Sequence, residues 1–188
     1  DMNLLTAGKA ESAEKKPLIL VVRNFNVTDI GEIYVPPPLR EPARRLYEKL
    51  GVSCSAAALS DVSDAAFIPH IPEASTIRHK HNEQFHFEEF YVIEYGRDCL
   101  DRILEIEARH AHPLQTGNVF VNMKDPGAPA AYEALLKASS VYAGFMPLSA
   151  GFEYVILHRP GSLPYATEDL RFSEYMGHML RESLNIRV

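Results

Sequence analysis

The first third of the chain combines short apolar runs with one amphipathic stretch. Residues 17–23 form a continuous apolar run rich in β-branched side chains, which predicts a strand buried on both faces. Residues 32–35 predict a second short strand, which three prolines bring to an end. From Leu39 onwards apolar side chains recur at helical spacing as far as Gly51, a residue type that commonly ends a helix. This part therefore predicts two strands followed by one helix.

The rest of the chain continues the alternation of strand-like and helix-like patterns. It predicts a strand hairpin, a helix, a strand, a second helix, a closing pair of strands and a last amphipathic helix. In chain order these elements cover residues 75–87, 89–95, 96–110, 118–123, 129–138, 142–147, 152–158 and 168–184. Such an order indicates an α/β sandwich with a mixed sheet.

The composition is that of a folded domain, and it narrows the choice of partners. The 188 residues include 25 acidic and 19 basic side chains, so we expect no nucleic acid partner. No apolar run approaches the roughly 20 residues that span a bilayer, and we expect no membrane contact. Only two cysteines occur, which favours a cytoplasmic location. We interpret residues 1–16 as a flexible tail or linker, 17–160 as the domain and 161–188 as a C-terminal helical extension.

Five short motifs carry a family resemblance. They are Ile33-Tyr-Val-Pro-Pro37, Ala43-Arg-Arg-Leu-Tyr-Glu-Lys-Leu-Gly51, Tyr132-Glu-Ala-Leu-Leu136, Tyr142-Ala-Gly-Phe-Met-Pro147 and Glu153-Tyr-Val-Ile-Leu157. With the element order, they resemble GCN5-related N-acetyltransferase (GNAT) domains that follow an anti-sigma-factor or histidine-kinase-like ATPase domain in bacterial signalling proteins. The resemblance implies an α+β fold with a mostly antiparallel sheet, and acetyl-CoA or CoA as the cofactor. It also implies an ATPase- or kinase-like domain of the same parent protein as a partner.

The GNAT turn that receives the CoA pyrophosphate is altered in this chain. In the family, backbone N–H groups after the fourth strand bind the phosphates at a helix N-terminus. The matching turn begins with Arg97, which agrees with the family, but Leu100 and Arg102 stand where the family has small residues. Asp98 adds negative charge there and is also a good helix N-cap. The positions that the resemblance assigns to CoA contact are Arg97, Asp98, Cys99, Leu100 and Asn122.

The acid–base residues of the family are also changed. Glu94, on the fourth strand of the family plan, would act as general base, because a carboxylate accepts an amine proton directly or through water. The family's acid is a tyrosine, but Leu135 occupies that place and Tyr132 lies one helical turn earlier. Glu94 suits a solvated strand end equally well, and Tyr132 suits a half-buried helix position. Cys99 is better explained as a core thiol than as a nucleophile.

Histidines concentrate around the predicted hairpin. His79 and His81 share one strand face, and His86 and Glu88 likewise share one, so close pairing of the two predicted strands would bring imidazoles together. Alternating polar residues on an exposed strand face explain the same pattern without a metal. We therefore predict no metal site, and name His79, His81 and His86 as the ligands if one exists. His110 suits a helix C-terminus, where its charge would favour the helix dipole.

Three functional hypotheses follow. The first is a degenerate GNAT-like domain that acts as a ligand-sensing or protein-interaction regulatory module. The second is an active acyl-CoA-dependent N-acyltransferase with a divergent pyrophosphate turn, and the third is a His-rich metal-binding protein. The apolar stripe of the last predicted helix, residues 168–184, suits either a homodimer contact or packing within the chain.

Overall fold

The computed structural model describes residues 27–53, 70–113 and 115–161. A short 3-10 turn, Pro37–Leu39, leads into the first of the helices that it describes. The strands are β1 (Thr76–Asn82), β2 (Phe87–Glu94), β3 (Thr116–Asn122), β4 (Val141–Ser149) and β5 (Phe152–Arg159), and the α-helices are α1 (Arg40–Leu50), α2 (Cys99–Arg109) and α3 (Ala128–Lys137).

The strands form one sheet in the order β1–β2–β3–β5–β4. Neighbouring strands are antiparallel except β2 and β3, which are parallel. Helix α2 lies between these two in the chain, as a parallel pair requires a crossover connection. The predicted fold class is confirmed: a mixed, mostly antiparallel sheet accompanied by helices.

The helices pack against one face of the sheet. Val92 of β2 points into the main apolar core, which also contains helix side chains such as Tyr47 and Leu135. Its neighbour Tyr91 points to the opposite face and joins an aromatic cluster around Phe120. This division follows from the strand geometry, because successive side chains point to opposite faces of a sheet.

Helix α1 confirms the helix predicted from apolar spacing. Its buried side chains are Ala43 and Tyr47, one turn apart, and it ends at Gly51 in the left-handed conformation. The strand predicted at residues 32–35 is wrong, because the segment is irregular. Ile33 and Val35 are nevertheless buried in the core, so the apolar pattern marked burial and not strand pairing.

Two predicted elements lie outside the described residues: the strand at 17–23 and the helix at 168–184. The tail at 1–16 and nearly all of the extension at 161–188 also lie outside them, so these domain boundaries stay predictions. Among the helices that the structure describes, none has the length and apolar character needed to cross a bilayer.

Candidate functional site

The turn between β2 and α2, expected to receive a pyrophosphate, is closed by the segment in front of β1. The Gly96 N–H donates to the Ser75 hydroxyl at 2.9 Å. The N–H groups of Arg97 and Asp98 donate to carbonyls of residues 72 and 73, at 2.9 and 3.2 Å. Three backbone donors just before α2 are therefore already used within the protein.

The polar side chains of this turn form hydrogen bonds or ion pairs with the segment in front of β1, and they do not cap the N-terminus of α2. Asp98 stands at the N-cap position, but its carboxylate accepts from the Ser75 N–H and hydroxyl, both at 2.7 Å. The hydrogen bond from the Ser75 hydroxyl lowers the pKa of the Asp98 carboxyl. Arg102 donates to the Ser75 carbonyl. Arg97 is largely exposed and forms an ion pair with Glu73 at 3.5 Å.

Cys99 and Leu100 begin α2 and face the protein interior. Cys99 is only 1% exposed, and burial raises the pKa of its thiol to about 11. Leu100 is partly buried and packs against the main core. The Cys99 thiol is therefore not placed to contact a ligand at the surface, and it is not an activated nucleophile.

The three remaining positions predicted for acyl transfer lie in different environments. Glu94 is exposed at the end of β2 and accepts a hydrogen bond from Thr76 at 2.9 Å. Tyr132 is 4% exposed in the core, and burial raises the pKa of its hydroxyl. Asn122 donates to the Ile93 carbonyl at 3.0 Å, beyond the last pair of the parallel β2–β3 register. Asn122 therefore bridges the two strands where their pairing ends.

A second polar group lies at the opposite end of β2, around Glu88. In the β1–β2 register Glu88 stands directly opposite His81, and His79 lies two residues further along the same face. A ring nitrogen of each histidine hydrogen-bonds to the carboxylate, His79 Nε2 to Oε2 and His81 Nδ1 to Oε1, the latter at 2.6 Å. The Glu88 side chain is 1% exposed, so its charge is met by imidazoles and not by water.

Helix α2 brings a third imidazole to the same carboxylate. His110, the residue after its last turn, places Nδ1 3.1 Å from Glu88 Oε1. Its ring stacks on His81 with ring centroids 4.3 Å apart, and on His79 at 5.5 Å. Gln115 also donates to Glu88, at 3.4 Å. We call His79, His81, Glu88 and His110 the histidine cluster.

The electrostatics of the histidine cluster favour an ionised carboxylate. Burial opposes the ionisation of Glu88, but hydrogen bonds from His79 and His81 outweigh it and lower the pKa of the Glu88 carboxyl. The side chains of His79, His81 and His110 are 21, 20 and 35% exposed, whereas Glu88 is buried beneath them. The histidine cluster therefore has a buried, negatively charged carboxylate beneath three partly exposed imidazole rings.

The histidine cluster differs from the set expected from sequence in one member. His86 precedes β2 in a turn with a φ of 48°, and its ring stacks on His112 at 3.5 Å. Strand alternation does not apply at such a position, so His86 does not join Glu88. His110 was missed because its place at a helix end had a sufficient local explanation. Only the crossover from β2 to β3 through α2 brings it to the hairpin.

Comparisons with family models, with curated proteins and with solved structures found no match to this chain. The function of the domain is therefore inferred from the geometry of these two regions.

Proposed function

We propose that this domain is a ligand-sensing or protein-contact regulatory module on a GNAT-like scaffold that has lost acyl-CoA chemistry. The observation that carries the proposal is the closed turn in front of α2. An acyl-CoA site needs free backbone N–H groups for the pyrophosphate, whereas the N–H groups of Gly96, Arg97 and Asp98 donate to residues 72–75.

The side chains available for catalysis support the same proposal. A general acid must reach the reacting group and release a proton near the working pH. Tyr132 is buried in the core with a raised pKa, and Glu94 is bound to Thr76 at an exposed strand end. These two groups make no hydrogen bond to each other within the described part of the chain.

The scaffold itself supports the GNAT-like part of the proposal. From β1 to β5 the element order is strand, strand, helix, strand, helix, strand, strand. This is the order on which the sequence resemblance depends. The resemblance further places the domain beside an ATPase- or kinase-like domain of a bacterial cytoplasmic signalling protein, with a homodimer as a candidate assembly. Those assignments are part of the proposal.

Calorimetric titration of the full chain with acetyl-CoA, and in parallel with CoA, tests the proposal. We expect no heat of binding and no thermal shift at about 1 mM ligand, which means a binding free energy weaker than roughly 4 kcal/mol. Binding tighter than about 100 μM, or roughly 5.5 kcal/mol, would contradict it. If Arg97→Glu also abolished that binding, the N-acyltransferase hypothesis would take its place.

A further inference from the structure

We propose that His79, His110 and Glu88 bind a divalent first-row transition metal ion, and that His81 holds the Glu88 carboxylate in position. This inference goes beyond the proposed function. It concerns the start of β2, whereas the closed turn follows the end of the same strand. It also replaces the sequence prediction of no metal, and it takes Glu88 and His110 as ligands in place of His81 and His86.

The ligand atoms are close enough to hold one ion. One atom each from His79, Glu88 and His110 lie within 4.8 Å of one another. Imidazole nitrogens and carboxylate oxygens bind such metals at about 2.0–2.2 Å, so two ligands of one ion stand about 3–4 Å apart. From separations of up to 4.8 Å, the three ligand atoms need to approach one another by about 1–2 Å at most.

The supporting residues are those that a metal site needs. A metal-binding carboxylate is usually fixed by hydrogen bonds from neighbouring groups. His81 Nδ1 contacts Glu88 Oε1 at 2.6 Å, and Gln115 donates to the same oxygen at 3.4 Å. His79 is packed against the Phe90 ring, with centroids 5.1 Å apart, which limits the orientations of its imidazole.

The number of imidazoles exceeds what the buried carboxylate needs by itself. One protonated imidazole would neutralise the charge of Glu88 and supply a hydrogen bond, yet three imidazoles contact it. The three rings share the two oxygens of one carboxylate, two of them at Oε1. A divalent ion would take one nitrogen each from His79 and His110, while His81 stays bonded to the carboxylate, whose charge would offset part of that of the ion.

The donor types determine the class of ion. Two imidazoles and one carboxylate suit Zn²⁺, Ni²⁺, Cu²⁺ or Fe²⁺, whereas Mg²⁺ and Ca²⁺ prefer oxygen ligands alone. Three protein ligands leave coordination positions for water or an external ligand. These positions would face solvent, because His110 is the most exposed member of the cluster at 35%. The bound ion would also join the edge strand β1 to the end of α2.

The test uses the full chain, purified without a histidine tag and treated with a chelator. Calorimetric titration with ZnCl₂ and NiCl₂ should give one saturable site per chain. His110→Ala should weaken that site by about tenfold or more, as loss of a metal ligand does. The matched control is His112→Ala, since His112 lies two residues further on and stacks on His86 outside the cluster. We expect it to stay within about twofold of wild type.

Two further measurements keep the test decisive. Circular dichroism must show that His110→Ala is folded; if it is not, His79→Asn and Glu88→Gln replace it with the same expected loss. Co²⁺ added in place of Zn²⁺ should give visible absorption bands that His110→Ala changes and His112→Ala does not.

The inference is overturned if neither ion shows saturable binding at about 100 μM. It is equally overturned if His110→Ala and His112→Ala weaken binding to the same extent, because the ions then bind surface histidines only. Acetyl-CoA binding with an intact metal site would remove the proposed function and leave this inference standing. If the metal titration fails and acetyl-CoA does not bind either, this inference falls and the proposed function stands.

Discussion

Gly96 lies where the turn after β2 passes closest to the segment in front of β1. A Cβ atom at this position would stand 2.4 Å from the Ala74 carbonyl carbon and 2.5 Å from the Ser75 nitrogen. Both neighbours are backbone atoms, which cannot move aside as the end of a flexible side chain can. We therefore predict that Gly96→Ala separates the two segments and opens the turn.

The expected loss of stability follows from the hydrogen bonds that cross this contact. The N–H groups of Gly96, Arg97 and Asp98 all donate across it. Each such bond contributes about 0.5–1.5 kcal/mol net. Against their loss stands a gain of about 0.4–1 kcal/mol, because alanine restricts the unfolded chain more than glycine does. The free energy of unfolding should fall by about 2–3 kcal/mol.

Urea unfolding of the full chain, followed by circular dichroism, measures this loss. Hydrogen exchange should also become faster at the amides of Arg97 and Asp98. The control is Gly31→Ala, where a Cβ atom has no neighbour within 4 Å and only the positive φ of 71° opposes substitution. That control should cost about 1 kcal/mol. A loss in Gly96→Ala no greater than in Gly31→Ala, with unchanged exchange, would refute the reasoning.

Three further predictions concern buried ionisable groups. Burial raises the pKa of the Glu153 carboxyl above 4.5, so the native state binds its proton more tightly than the unfolded state, and stability falls as the pH rises through the raised pKa. Urea unfolding should therefore show that wild type loses stability relative to Glu153→Gln between pH 5 and pH 8. An equal difference between the two proteins at both pH values would contradict this. Arg159 pairs with Glu107 through two hydrogen bonds, at 2.5 and 2.8 Å, and Arg159→Met should cost about 3 kcal/mol in thermal unfolding because it leaves a largely buried carboxylate unpaired. The double variant Arg159→Met, Glu107→Met should recover most of that loss. If Arg159→Met and Glu107→Met each left the unfolding temperature unchanged, the pair would not be stabilising. In a Cys54→Ser background, Cys99 should react with a thiol reagent at pH 8 about a hundredfold more slowly than an ordinary cysteine, because burial raises the pKa of its thiol to about 11. A reaction rate equal to that of the urea-unfolded chain would contradict this prediction.

Local patterns were sufficient to predict most of the described elements. The apolar spacing around Ala43 and Tyr47 predicted α1, and the pattern in residues 75–95 predicted a hairpin, because periodicity records which side of an element is buried. The position of its turn was wrong: the predicted strands, 75–87 and 89–95, meet at Glu88, whereas β1 ends at Asn82 and β2 begins at Phe87. The segment at residues 32–35 shows the limit of this signal. Its apolar side chains are buried, as the pattern implies, but a strand also needs a neighbour with which to pair.

The closed turn was beyond any local pattern. The resemblance to GNAT domains implied that Leu100 and Arg102 stand where that family has small residues, which suggested an altered site. The sequence carried no sign that residues 72–75 would take the backbone N–H groups of Gly96, Arg97 and Asp98. Two of these bonds join backbone groups and the third ends on the Ser75 hydroxyl, and all three depend on the path that brings segments more than twenty residues apart into contact.

The histidine cluster likewise has members that the sequence could indicate and members that only the fold could supply. The sequence by itself determined that His79 and His81 share a strand face, because alternation is a property of any strand. It placed Glu88 between the two predicted strands, and only the β1–β2 register sets Glu88 opposite His81. Only the tertiary structure decided that His110 would complete the group and His86 would not. The parallel pairing of β2 and β3 makes α2 cross the sheet and end above Glu88, whereas the positive φ of His86 turns it away towards His112.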